Sequence, residues 1–249
     1  SEFLLSADWA PSDSAEGGGS VGAAIFIFGS VITCALALAI ATPFSLATAI
    51  FMTEISPELG KRFVQPAVEI FVGIPSVVYG WIGLTILVPL IKNIFNLRFG
   101  FSVLAAGIVL AIMIFPTITS LAADALRSIP KSYRAASYGL GATRWQTIAK
   151  VVVPAAVTGL MTAVILGLAR AFGEALAVAM VIGKMRAFPT SLLAPTNNLT
   201  AAIAADMGGA MEGSEYNIAL WTMALLLFII SLACIFAIHF LTAKGGKQA

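Results

Sequence analysis

Residues 124–154 read DALRSIPKSYRAASYGLGATRWQTIAKVVVP. The stretch is basic, broken up by Pro and Gly, and set between two long apolar runs. Ser128 is placed to cap a helix, and Pro130 suits a first helical turn. A short helix is therefore expected from Lys131 to Leu140, closed by Gly139 and Gly141. Thr143 is placed to cap a second short helix that leads towards Pro154. Ala135, Ala136 and Gly139 are small, so another surface can approach closely. Tyr133, Tyr138 and Trp145 supply apolar anchors beside basic residues. Chemistry alone leaves two roles open for such a helix: a docking element for a partner, or an interfacial helix resting on lipid headgroups.

The rest of the chain decides where this loop sits. Of 249 residues, 59% are hydrophobic and only 10% are charged, with a mean hydropathy of +0.98. A soluble domain carries about 25% charged residues, so the composition points to a membrane protein. Five runs are long enough to span a bilayer: about 21–51, 63–91, 101–123, 151–183 and 218–241. They do not alternate as barrel strands do, so the expected fold is an all-α polytopic bundle of five spanning helices. A net charge of +2 gives no reason to expect nucleic acid. Cys34 and Cys234 lie in apolar runs and read as buried thiols. With His239 the only histidine, no metal site is expected.

Orientation follows from the positive charges. The links on one side carry Lys61, Arg62, Arg127, Lys131, Arg134, Arg144, Lys150, Lys244 and Lys247. Those on the other carry Lys92, Arg98, Lys184 and Arg186. Nine against four puts the first set, with the loop and the C-terminal tail, in the cytoplasm. The expected division is an extracytoplasmic loop over 1–20, a transmembrane domain over 21–242 and a cytoplasmic tail over 243–249. The opening residues carry four acids and no basic n-region, so they read as a polar loop and not a signal peptide. A chain that begins outside calls for an earlier spanning helix.

Three charges lie inside the apolar runs: Glu69, Arg170 and Glu174. An ionisable residue at the bilayer centre costs at least about 2.5–3.5 kcal/mol, so it normally faces a bundle interior or a cavity. Arg170 and Glu174 are spaced i, i+4 and are expected to share one helix face. They read either as an internal salt bridge or as part of a substrate pathway. The guanidinium fork suits an oxyanion and stays charged. The carboxylate can accept a hydrogen bond from the P–OH of a protonated phosphate, and would repel sulfate. Glu69 either partners Arg170 or caps a broken helix. Gly73, Pro75, Gly80 and Gly83 predict an irregular segment, with Ser76 and Tyr79 available to line a cavity. Thr117, Thr119 and Ser120 follow Pro116 and either line the exit or bond their own helix. Asn198-Leu199-Thr200 matches a glycosylation acceptor by chance.

The loop resembles the EAA loop of ABC-importer permeases. Ala135-Ala136-Ser137 is followed by Gly141, then nine residues, then Val151, Val153 and Pro154. Ala135 stands where that pattern has Glu. Four further stretches narrow the likeness: ATPFSLATAIFMTEISP, VEIFVGIPSVVYGWIGL, GLARAFGEALAVAMVIG and the NNLTAAIAADMGGAMEGS loop are similar to PstC-type phosphate permeases. This resemblance implies a type I permease bundle whose cytoplasmic coupling helix docks on an ATPase through Ala135, Ala136, Ser137, Gly141 and Pro154. It implies a pathway that includes Arg170, Glu174, Glu69 and Ser76. The implied partners are a second homologous permease, a dimer of ABC ATPase subunits, an extracytoplasmic phosphate-binding protein and membrane lipid, in a bacterial plasma membrane. No cofactor is expected here. The chain has no GxxxxGK[ST] phosphate loop, so ATP would be bound by the partner. Permeases for molybdate, sulfate or phosphonate are the alternatives. A membrane protease is disfavoured, because neither HExxH nor paired aspartates are present.

Overall fold

A computed structural model describes residues 2–12 and 18–245. It is helical almost throughout. The helices are α1 (Glu2–Leu5), α2 (Ala24–Ile55), α3 (57–73), α4 (Ser76–Ile94), α5 (Val103–Arg127), α6 (Lys131–Gly139), α7 (Arg144–Ala155), α8 (Val157–Gly173), α9 (Leu176–Val181), α10 (Leu199–Asp206) and α11 (Glu215–Gly245). Strands β1 (Trp9–Ala10) and β2 (Ser20–Val21) form a small antiparallel ladder, with Trp9 opposite Val21.

Among the described residues, four helices are long and apolar enough to cross a membrane, or five if the bent pair α7 and α8 counts as one span. Many of their large apolar side chains are exposed, among them Phe44, Trp81, Leu225 and Phe228. Such exposure suits contact with lipid.

Two of the expected spans differ from their runs. The second run splits: α3 ends at Gly73, Ile74 is extended, and α4 restarts at Ser76. Pro75 excludes the helical conformation from the residue before it and lacks an N–H. The fourth run splits too. α8 ends at Gly173, and α9 starts afresh at Leu176. The loop before it joins the span at an angle of 68° between α7 and α8.

The chain folds as two compact units. The first comprises Ser1–Ala37, Pro75–Ala111 and Arg170–Ala233. Its core packs Trp9, Phe26, Leu199, Leu220 and Met223 together. Trp9 meets the rings of Phe26 and Tyr216 edge-on. The segment before α2 is therefore more than a polar loop, since it delivers an aromatic plug. Close backbone approaches hold this unit. A Cβ on Gly80 would sit 2.6 Å from Met180 Sδ and 2.8 Å from Ala177 Cα, so α4 and α9 meet where only Gly fits.

The second unit comprises Leu38–Ile74, Ile112–Ala169 and Cys234–Ala249. Ile114, Ile118, Leu126 and Val152 are fully buried in it. Ser45 donates to the Phe115 carbonyl, just before Pro116 in α5. The side chains of Cys234 and His239 lie outside the described set.

Candidate functional site

The first unit gathers the intramembrane charges of the fourth run around the break between α8 and α9. Arg170 lies in the last turn of α8, where a cation complements the negative end of the helix dipole. It is half-buried and acts electrostatically on the Tyr79 hydroxyl of α4. Glu174 does not continue the face of Arg170. It stands in the break, one residue past the end of α8, so the two residues do not share one continuous helical face. There its Oε1 accepts from the Ala177 N–H at 3.3 Å, covering an otherwise open donor at the start of α9.

The break is held from a distant stretch, Thr196–Ala201. Thr200 Oγ1 donates to the Glu174 carbonyl at 2.7 Å. Asn198 Oδ1 caps α10 by accepting from the Ala201 N–H at 2.8 Å. The Leu199 N–H donates to Ser30 Oγ at 3.0 Å. Gly29 lets α2 press against this turn: a Cβ there would lie 1.9 Å from the Asn197 carbonyl oxygen. Asn197, Asn198 and Thr200 are all buried. The Asn-Leu-Thr triplet, read from sequence as a chance glycosylation match, is thus a clamp on the broken helix. The signal that could have exposed it is Asn198 set directly before the apolar stretch Leu199–Ala205, the position of a helix cap. Ser76 begins α4 in the same unit and is half-buried, while Tyr79 one turn on is buried.

Glu69 lies in the second unit, exposed on α3. It accepts from Gln65 Nε2 at 3.0 Å, and Gln65 Oε1 in turn accepts from Arg127 at 3.1 Å. A side-chain relay thus ties α3 to the end of α5.

The second unit also carries the loop. α6 spans Lys131–Gly139 as expected, one residue short of Leu140, and Gly141 has a φ of +80° that favours glycine. Ser128 is not its cap: its hydroxyl donates back to the Ala125 carbonyl at 2.7 Å, and Pro130 occupies the cap position. Thr143 does cap α7, in a reciprocal box with Gln146. Ala135 and Ala136 are exposed, whereas Ser137 is buried and bonds Thr147 at 2.9 Å. Pro154 is exposed just before the bend. Tyr133, Ala136, Ser137, Leu140 and Val151 line a cavity of about 540 Å³ on this surface.

One cluster in this unit was not foreseen. Arg134 grips Glu54 with Nε at 3.0 Å and Nη2 at 2.5 Å. The bond to Glu54 holds the guanidinium above its ordinary pKa, so it stays charged. No motif signals this pair, because its partners lie eighty residues apart in the chain.

Comparison with solved structures defines the class. The chain shares the fold of ABC-importer permeases. It superposes on a chain of the MetNI methionine ABC transporter with a TM-score of 0.66, at 22% identity, covering 89% of this chain and 96% of that one. A chain from the crystal structure of an amino acid ABC transporter with histidines gives 0.62 at 14% identity, over 88% and 92%. Sequence relatives are nearer. A probable ABC transporter permease of Bacillus subtilis strain 168 is 53% identical over 98% of this chain and 78% of that protein. The phosphate transport system permease PstC of Haemophilus influenzae is 39% identical over 92% and 76%. The chain belongs to the family described as "Binding-protein-dependent transport system inner membrane component", which matches residues 41–244, and within it to the PstC-type permeases. It is a multi-pass membrane transporter subunit and not an enzyme.

Proposed function

We propose that this chain is the PstC-type permease of an ATP-driven importer of inorganic phosphate. The observation that carries this reading is the break after Gly173, with Arg170 in the last turn before it and Glu174 within it, in a chain 39% identical to a phosphate permease. The Arg170 fork receives two phosphate oxygens. Glu174 accepts a hydrogen bond from the P–OH group and offsets part of the guanidinium charge, so the anion is held briefly and released, as conduction requires. Ser76 and Tyr79 contribute further polar groups. Glu69, exposed on α3, belongs to the pathway only where another subunit completes it.

Membership of a binding-protein-dependent family supports an extracytoplasmic binding protein and an ATPase as partners. The full assembly proposed has a second homologous permease and two ATPase subunits, with no cofactor on this chain. α6 and the turn after it, Ala135 to Gly141, form the face presented to the ATPase, with Pro154 at its far end. The excess of Lys and Arg supports a cytoplasmic position for that face and the C-terminus, with the N-terminal segment outside.

Uptake of labelled phosphate by reconstituted complexes tests the site. Arg170→Ala is expected to lower uptake on the order of 10- to 100-fold, the equivalent of a lost charged hydrogen bond. Glu174→Gln keeps the shape of the cap but removes the charge, so sulfate should begin to compete. Normal uptake and unchanged selectivity in both variants would overturn the pathway assignment. Uptake displaced equally by molybdate or sulfate in the unsubstituted complex would reassign the substrate.

A further inference from the structure

We propose that Glu54 is a positioning residue that fixes the loop helix α6 to the end of α2 and so carries the loop's motion into the membrane. The proposal rests on the reading of the loop as the ATPase-facing element. The geometry is that of a bolt. Glu54 sits in the π-helical last turn of α2, and its side chain is only 8% exposed. The Arg134 side chain that grips it is 20% exposed.

The same guanidinium donates from Nη1 to the Ile129 carbonyl at 2.8 Å and from Nη2 to the Leu126 carbonyl at 3.1 Å. Leu126 belongs to the last turn of α5, whose terminal carbonyls have no helical partner. One side chain of the loop therefore binds the ends of two long helices at once. Arg144, at the start of α7, adds a second point. Its Nη2 donates to the Ile55 carbonyl at 2.7 Å and also to the Glu54 carbonyl.

Arg134 and Arg144 thus both reach the last two residues of α2, and Arg134 also holds the end of α5. The outward side is different. Tyr133, Tyr138, Leu140 and Trp145 are exposed, Leu140 at 89%. A partner pushing on these residues pushes on a helix whose inner face is bolted. Exposed ion pairs contribute little, since water and salt compete for them. This pair is largely desolvated, where breaking one partner has a large effect. Without Glu54 the loop still docks, but its displacement is no longer passed to α2 and α5.

The test uses the complete complex in liposomes and reads ATP hydrolysed per phosphate imported. Glu54→Gln and Arg134→Lys should each raise that ratio about tenfold, in the range of typical coupling free energies. The double variant should be no worse than either single one, because the pair acts as a unit. Glu54→Asp should recover part of the coupling. If Glu54→Gln fails to assemble, Arg134→Lys, which keeps the charge and loses the fork, carries the test. Hydrolysis and uptake that fall together, with the ratio unchanged, would overturn the proposal and leave a purely structural pair. Failure of the functional reading looks different: the unsubstituted complex would import no phosphate. If it imports another oxyanion, the ratio is taken with that ion. If it imports nothing at the expense of ATP, both readings fall.

Discussion

The break after Gly173 and the seat of the loop at Glu54 face the same problem with different chemistry. Each is a helix end whose last carbonyls take donors from elsewhere in the chain. At the break, the donors are neutral: the Thr200 hydroxyl on the Glu174 carbonyl, with Asn198 capping the helix that presents it. At the loop, the donors are two guanidinium groups on the carbonyls of Leu126, Ile129, Glu54 and Ile55. The contrast follows from desolvation. A hydroxyl is removed from water at modest cost when it keeps one hydrogen bond, whereas a cation needs a counter-charge and several acceptors. Glu54 supplies that counter-charge at the loop. At the break, the cation of the helix end is Arg170, in the last turn of α8.

Three substitutions sharpen this contrast, from the largest effect to the smallest. Gly29→Ala strikes the support of the break. Its Cβ would overlap the Asn197 carbonyl, which is backbone and cannot rotate away. The cost should lie at or above the upper end of the about 1–3 kcal/mol typical of overpacking. It should appear as a lower midpoint for thermal inactivation of the purified complex, with phosphate uptake lost alongside. An unchanged midpoint would mean that the turn at Asn197 is not held against α2.

Thr200→Val removes one hydroxyl and little else, leaving the Glu174 carbonyl buried without its donor. A loss of about 1–3 kcal/mol is expected, read in the same midpoint, and Thr200→Ser should recover most of it. If Val and Thr behave alike, the break is held by packing and not by this bond. At the loop, Thr143→Ala deletes the capping box at the start of α7 and should cost only about 1 kcal/mol. It should lower the midpoint slightly and leave the ratio of ATP to phosphate unmoved. That result would separate capping of the loop from its coupling through Glu54.

How much of this was legible in the sequence depends on the range of the interaction. The apolar runs announce the spans, because a bilayer demands length and composition and little else. Pro75 announces the first break, since its ring acts on the neighbouring residue. Thr143 and Gln146 announce a cap from a spacing of three residues. The break at Gly173 is a different case. A glycine inside an apolar run lowers helix stability by only about 1 kcal/mol, too little to stop a helix by itself. The support of this break comes from Thr200, twenty-six residues after Glu174, together with the tight approach of α2 at Gly29. The i, i+4 spacing of Arg170 and Glu174 therefore suggested one continuous helical face, which the end of α8 at Gly173 interrupts. Arg134 was counted only among the positive charges and Glu54 was not singled out, because nothing local marks two residues that meet across eighty positions.

The bend between α7 and α8 converts direction. The two helices meet at 68°, close to a right angle, around the short connection at Ala156. A displacement along the axis of α7 therefore reaches α8 mainly as a sideways swing and only weakly as a push along its length. Pro154 removes one backbone donor from the approach to the corner, so the corner is not a continuous helix that could straighten under load. The geometry is that of a crank. A partner that slides α7 along its own axis would tilt the helix that carries Arg170 more than it would raise or lower it.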